Sequence, residues 1–148
     1  DTRKTTPGIR ILEKYAVKTG GGTNHRMSLS DMVMLKDNHI KQVGSISKAV
    51  ETARKRIPPD IKIEVETTSL EEVKLAFESG ADIIMLDNMT PEEVSRAADW
   101  IKGRVPLEVS GMISLSNIRK YADTGVDMIS VGGLTHSYFS LDISMDFK

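Results

Sequence analysis

Short apolar runs alternate with amphipathic, capped stretches along the chain, with no linker or low-complexity interruption. The runs Met32–Lys36, Lys62–Glu66, Ile83–Asp87, Leu107–Ser110 and Met128–Val131 are near-continuous, the pattern of parallel strands covered on both sides. Helix signals fall between and before them. Thr6-Pro7 predicts an N-cap with proline in the first turn, in a segment closed by Gly20 to Gly22. Ser45 predicts a cap for a helix running to about Ile57, where Pro58-Pro59 stop it. Ser69 with Glu72 reads as a capping box in a helix ended by Gly80, and Thr90-Pro91 with Glu93 repeats the signal in one ending near Gly103. A last helix is expected from about Ser116 to Thr124, ended by Gly125. Strands alternating with helices define an α/β protein built of βα units with right-handed crossovers.

An open sheet would accommodate these units, but a (β/α) barrel explains more, because barrels carry their sites at the C-terminal ends of their strands. The first run ends in Lys36-Asp37-Asn38-His39, the second in Glu66 and the third in Asp87-Asn88. The fourth ends in Ser110-Gly111, and the fifth in Gly132-Gly133 before Thr135-His136. Ionisable residues or glycines at every strand end are poor economy for a purely structural domain.

Composition narrows the chemistry. At 148 residues the chain suits one domain, 1–148. Twenty Lys and Arg against 21 Asp and Glu leave no net field to draw in nucleic acid or an anionic membrane, so an anion site must come from local clusters. The lack of cysteine excludes disulfides, thiol nucleophiles and thiolate zinc sites, and is compatible with a cytoplasmic protein. The apolar runs are far too short to span a membrane. The chain opens at Asp1, already in what reads as a functional loop, so a longer protein is expected.

The clusters then sort by charge. Arg3 and Lys4 stand among the hydroxyls of Asp1 to Gly8, just before a predicted helix N-terminus, as an anion cradle or a solvated basic loop. His25 and Arg26 follow three glycines that let backbone approach a ligand, and read either as a carboxylate site suited to the Arg fork or as an ordinary surface pair. Lys36 at a strand mouth needs an anion, either a ligand or the adjacent Asp37, while His39 reads as an ordinary hydrogen-bonding loop residue. Glu64 and Glu66 share one strand face. Glu66 and Asp87 could hold sugar hydroxyls or Mg²⁺, directly or through water, or serve as salt-bridge partners for Lys36 and Lys4. Ser110-Gly111 and Gly132-Gly133, after the last two strands, could form a phosphate site from backbone N–H groups.

With these residues in hand, the chain resembles the quinolinate phosphoribosyltransferases. The likeness rests on Asp1 to Gly8, Lys14-Tyr15-Ala16-Val17, Gly20 to Arg26 and Leu35-Lys36-Asp37-Asn38-His39-Ile40. It continues through Ile63-Glu64-Val65-Glu66, Met85-Leu86-Asp87-Asn88, Glu108-Val109-Ser110-Gly111 and Leu134 to Ser144. The resemblance implies a phosphoribosyltransferase-type barrel, here lacking an N-terminal α/β domain and the first barrel strand. It implies a homodimer or higher homo-oligomer in which that absent domain helps to complete the partner's site. The implied reaction joins quinolinate to phosphoribosyl pyrophosphate, giving nicotinate mononucleotide, pyrophosphate and carbon dioxide with Mg²⁺, in NAD biosynthesis. By the same resemblance Arg3, His25, Arg26 and Lys36 surround the quinolinate carboxylates. Lys4, Glu66 and Asp87 handle phosphoribosyl pyrophosphate and its metal, and Ser110, Gly111, Gly132 and Gly133 receive the ribose phosphate. The catalytic residues implied are Lys36, Glu66 and Asp87.

One departure stands out: the family usually has a second glycine after Ser-Gly, and this chain has Met112, which could crowd the phosphate or demand a different backbone angle. Two other readings stay open: a molybdenum-transport-associated homologue of the same fold, and a phosphate-binding module without catalysis. The uninterrupted Lys36 to His39 segment favours the quinolinate enzyme over the first.

Overall fold

The computed structural model describes residues 1–147. Its strands are β1 (Val33–Leu35), β2 (Ile63–Thr67), β3 (Ile83–Asp87), β4 (Leu107–Ser110) and β5 (Met128–Ile129). They form one sheet in the order β1-β2-β3-β4-β5, and every neighbouring pair is parallel. Consecutive parallel strands are the staves of a barrel wall, whereas a doubly wound sheet reverses its order at a switch point. The fold is an α/β barrel left incomplete. Around it run α1 (Arg10–Thr19), α2 (Asp37–Val43), α3 (Ile46–Arg54), α4 (Leu70–Glu78), α5 (Pro91–Ile101), α6 (Ile118–Ala122) and α7 (Gly133–His136).

Strand register divides the side chains by parity. Ile63, Val65, Ile84, Leu86, Leu107 and Val109 point to the helices and pack with Val73, Ala76, Val94, Ala97 and Ile101. Each such fully buried side chain contributes about 1.5–3 kcal/mol of hydrophobic stabilisation. The other parity faces the barrel interior and carries Met34, Glu64, Glu66, Met85, Asp87, Glu108 and Ser110. Strands β2 and β4 therefore alternate apolar and polar positions, whereas β1, β3 and β5 keep the apolar run expected of all five.

Local signals fixed several helix starts. Ser45 accepts the Lys48 N–H at 3.2 Å, and Thr90 with Glu93 forms the reciprocal capping box of α5. Only half of the box expected at Ser69 forms: its hydroxyl accepts the Glu72 N–H, but the Glu72 carboxylate turns to the Thr68 N–H, 2.7 Å away. Thr6 does not cap α1. The helix begins at Arg10 with Ile9 at the N-cap, after Gly8 turns the chain at φ +83°. The Thr6 amide instead donates to Glu13 Oε2 at 3.0 Å. Helix α3 stops at Arg54 and α6 spans only Ile118–Ala122, both shorter than expected. Helices α2 and α7 lie where loops were expected, since seven and four residues are too few to show a helical period.

Helix α1 inverts the usual pattern. It buries Glu13, Lys14 and Val17 while Ile11, Leu12 and Tyr15 stay exposed. No helix among the described residues is long and apolar enough to cross a membrane.

Candidate active site

Every residue singled out for the site lines one cleft of ≈ 880 Å³ at the C-terminal ends of the strands. Arg3 and Lys4 enter from the N-terminal segment, His25 and Arg26 from the loop after α1, and Lys36, Glu66 and Asp87 from the ends of β1, β2 and β3. Ser110 and Gly111 follow from β4, and Gly132 and Gly133 from the turn after β5. The size suits a small-molecule site.

The cationic side is anchored from below by Lys14. Its side chain is 2% exposed, and its ammonium donates to Asp1 Oδ1 and the His25 carbonyl, each at 3.0 Å, and to the Arg26 carbonyl at 3.3 Å. Burial pushes the Lys14 pKa down, yet three oxygen partners compensate the charge. The Asp1 carboxylate also accepts the His25 backbone N–H, so the loop carrying His25 and Arg26 is held at both ends of one buried ion pair. Arg26 uses one guanidinium nitrogen on the Met32 carbonyl, at 2.7 Å, which orients the fork in the cleft.

Lys36 is the N-cap residue of α2, and its ammonium pairs with the Glu66 carboxylate across neighbouring strands. Asp37, its expected internal partner, instead pairs with Lys41 at 2.8 Å. An aspartate at the first helical position points away from the cleft, toward i+4. The Lys36 side chain is 45% exposed, so it reaches into the open cleft rather than lying buried at the strand end. His39 takes a structural place: Nδ1 accepts the Lys36 N–H at 3.0 Å, inside the first turn of α2 rather than in a loop. Among the described residues Asp87 accepts only from the neighbouring Asn88 side chain, at 2.8 Å, which leaves one of its oxygens open to the cleft.

Behind the cations lies a buried acidic pair. His25 Nε2 stands 3.3 Å from a Glu64 oxygen and 3.5 Å from a Glu108 oxygen, distances of ion pairing rather than aligned hydrogen bonds. Both glutamates are nearly inaccessible to water. Nδ1 accepts the Arg26 amide at 2.9 Å, which opposes a second proton on the ring. Two facing carboxylates outweigh that single contact. Glu108 and then Glu64 raise the His25 pKa to about 9. Burial in turn pushes the Glu64 carboxyl up, with Glu108 adding to the shift.

The glycine side is shaped by contact as well as by backbone freedom. Gly111 adopts φ +102°, and a Cβ there would fall 2.3 Å from Asn88 Oδ1 and 2.8 Å from the Asn88 amide nitrogen. Only glycine fits both limits. Met112 adopts φ +50°, so the backbone keeps a left-handed angle suited to glycine while its side chain is 90% exposed. Gly132 and Gly133 do not form an open loop but begin the single turn α7. Thr135 of α7 donates to the Lys4 carbonyl at 2.8 Å, joining that turn to the N-terminal cations.

Sequence reasoning assigned no role to Lys14 or Glu108. The signal for Glu108 was legible: an acid inside an otherwise apolar run, with the parity of Ser110. The burial of Lys14 had no such signal, because its helical neighbours Ile11, Leu12 and Tyr15 suggested the opposite face.

A parallel α/β wall bearing cations, carboxylates and a glycine turn at its strand ends defines an α/β barrel domain with a charged cleft at the C-terminal mouth of its sheet. The chain belongs to the quinolinate phosphoribosyl transferase family: that family's C-terminal domain matches residues 1–146. It is 50% identical over 146 residues to a probable carboxylating nicotinate-nucleotide pyrophosphorylase of Bacillus subtilis. The match covers 99% of this chain and 50% of that relative. The human carboxylating nicotinate-nucleotide pyrophosphorylase is 44% identical over 147 residues, 97% of this chain and 50% of its own. The solved structure of NadC from Streptococcus pyogenes superposes with a TM-score of 0.94 at 50% identity, covering 99% of this chain and 52% of that one. The chain thus spans about half the length of the curated relatives it matches.

Proposed function

We propose that this chain is the catalytic barrel of an enzyme, a pentosyltransferase that moves the phosphoribosyl group of phosphoribosyl pyrophosphate to quinolinate, with decarboxylation. The products are nicotinate mononucleotide, pyrophosphate and carbon dioxide, in the synthesis of NAD. One observation carries the reading. A single cleft holds a cationic side fit for a dicarboxylate and an acidic and glycine side fit for a phosphorylated sugar. The names of the relatives point the same way.

In this reading Arg3, His25, Arg26 and Lys36 orient quinolinate, so that its ring nitrogen faces the ribose carbon. Lys4 meets the pyrophosphate, and the turns at Ser110-Gly111 and Gly132-Gly133 receive the ribose phosphate. Glu66 and Asp87 sit where they hold ribose hydroxyls and stabilise positive charge developing on the reacting carbon as pyrophosphate departs. The pyridinium then stabilises the carbanion left on the ring as carbon dioxide departs, and a proton from solvent takes the place of the lost carboxylate. The cleft's cations lower the repulsion between a dianion and a polyanion, which is the main obstacle to bringing them together.

Glu66 and Asp87 also fit a hard divalent cation. They present oxygen donors at the cleft, and Asp87 has an oxygen without a protein partner. Mg²⁺ held there, directly or through water, would supply charge neutralisation for the leaving pyrophosphate. The exposed apolar face of α1 fits a homo-oligomer assembled through a further domain, and we place the protein in the cytoplasm.

The test is to incubate the full-length protein with quinolinate, phosphoribosyl pyrophosphate and Mg²⁺. Stoichiometric carbon dioxide and nicotinate mononucleotide are expected. Binding of phosphate compounds without turnover would instead leave a non-catalytic module.

A further inference from the structure

His25 sits in a loop with no regular structure of its own, yet its ring meets a partner on each edge, the Arg26 amide at Nδ1 and two carboxylates beside Nε2. We infer that Glu108 is a positioning residue for His25: from the inner face of β4 it fixes the Nε2 edge of the ring and keeps the ring cationic where the substrate's anionic group binds. The identity of that anion rests on the proposed function; the state of the ring does not.

Glu108 is 3% exposed and lies in register between Met85 and Met128, neither of which can compensate a buried charge. One of its oxygens has no hydrogen-bond partner, and the other is 3.5 Å from His25 Nε2. A carboxylate so placed needs a cation, and the imidazolium is the group that reaches it. The charged groups around the ring come from every side: Glu64 from β2, Glu108 from β4, Arg26 beside it in the loop, and Lys14 on its carbonyl from α1. Arg3 lines the same cleft. The acids stand on the ring's Nε2 edge, whereas Lys14 touches only the backbone. The elevated ring pKa, led by Glu108, agrees with this geometry.

His25, Glu64 and Glu108 also offer three ligand atoms within 4.8 Å of one another, the spacing of a metal site. A proton and a metal ion are the two cations that can answer the facing carboxylates there. Because Nδ1 accepts the Arg26 amide, the neutral ring carries its proton on Nε2, directed at the carboxylates. A metal on Nε2 would displace that proton, and the doubly protonated ring and the metal-bound ring alike give up the Arg26 contact, so titration of the ring is what separates them.

The experiment is an NMR titration of the histidine rings in the full-length protein, wild type and Glu108→Gln. Resonances of His25, His39 and His136 are assigned by single substitutions. The His25 midpoint is expected near 9 in the wild type, and at least a unit lower in Glu108→Gln. With quinolinate, KM should begin to rise at lower pH in Glu108→Gln, while kcat at saturation changes little and Glu108→Asp restores most of the profile. Should Glu108→Gln fail to fold, Glu108→Asp, with its shortened reach, should still lower the midpoint by a measurable fraction of a unit. An unchanged midpoint in the variant, or a wild-type midpoint near the ordinary histidine value, overturns the inference. Zn²⁺ binding that silences the His25 titration also overturns it, by making the trio a metal site. A shifted midpoint in a protein that does not bind quinolinate supports the inference and sinks the substrate reading.

Discussion

Lys36 and Glu66, thirty positions apart, join their side chains across neighbouring strands at the mouth of the cleft. Lysine remains 45% exposed, so the pair is worth about 0.2–1 kcal/mol to stability, as half-solvated ion pairs are. Changing Lys36 to Ala should therefore barely move the unfolding midpoint. Turnover should fall by about 10²–10³, the usual consequence of removing one charge-stabilising group from a reacting site. Changing His39 to Ala removes a hydrogen bond to the Lys36 amide and should cost about 0.5–1.5 kcal/mol, with turnover per folded molecule nearly intact. Carbon dioxide release, corrected for folded protein by circular dichroism, reads both. Near-normal turnover in Lys36→Ala would return that residue to a structural role.

Arg3, His25, Arg26 and Lys36 supply more donors than one carboxylate can use. Quinolinate should accordingly bind more tightly than nicotinate, by about ten- to a hundredfold for one charge-assisted contact of 1.5–3 kcal/mol. Calorimetric titration of the full-length protein measures this, and equal affinities would contradict the dicarboxylate assignment.

Gly111 and Met112 should respond very unequally. Gly111→Ala places a methyl group against the Asn88 amide at an unfavourable φ, so it should destabilise by about 1–3 kcal/mol and weaken phosphoribosyl pyrophosphate binding. Met112→Gly relieves a left-handed angle but loosens the unfolded chain, two effects of about 1 kcal/mol that nearly cancel. Its side chain is exposed, so KM for phosphoribosyl pyrophosphate should stay within about twofold. A large gain in affinity on Met112→Gly would show that the methionine does crowd the phosphate.

Stability should decline as pH rises through the alkaline range. His25 titrates near 6.5 when unfolded and near 9 when folded, so the folded state binds the extra proton. Its contribution is complete below about 6.5 and is lost as pH climbs to 9. Glu64, also raised in the fold, acts with the same sign from its own unfolded value upward. Urea midpoints taken across this window should fall, and His25→Asn should flatten the fall between 6.5 and 9. A midpoint that rises with pH would contradict the buried trio.

The strand cores and the chemistry at their ends were legible because short-range rules govern both. Apolar runs at Ile83–Asp87 and Leu107–Ser110 became strands with those bounds, and Thr90 with Glu93 formed the expected box. The start of α1 was misplaced because the Thr6-Pro7 signal lost to a turn at Gly8 and to Glu13, which drew the Thr6 amide across seven positions. The sequence offered Lys36 either the adjacent Asp37 or Glu66 as a partner; the fold takes Glu66, and helix geometry sends Asp37 to Lys41.

The sequence by itself determined an α/β chain with parallel strands, the residues at the strand ends, and their division into cations, carboxylates and glycines. Periodicity, caps and residue type are local properties, readable without a fold. Only the tertiary structure decided that Lys14 is buried under the His25 loop, that Glu108 and Glu64 close on His25, and that Glu66 rather than Asp37 takes Lys36. Those partners lie in different βα units and meet only when the wall curves and brings alternate side chains of adjacent strands to one interior. Parity along a strand can be counted from sequence. Which parity faces inward, and what waits there, depends on the helices packing against the other side.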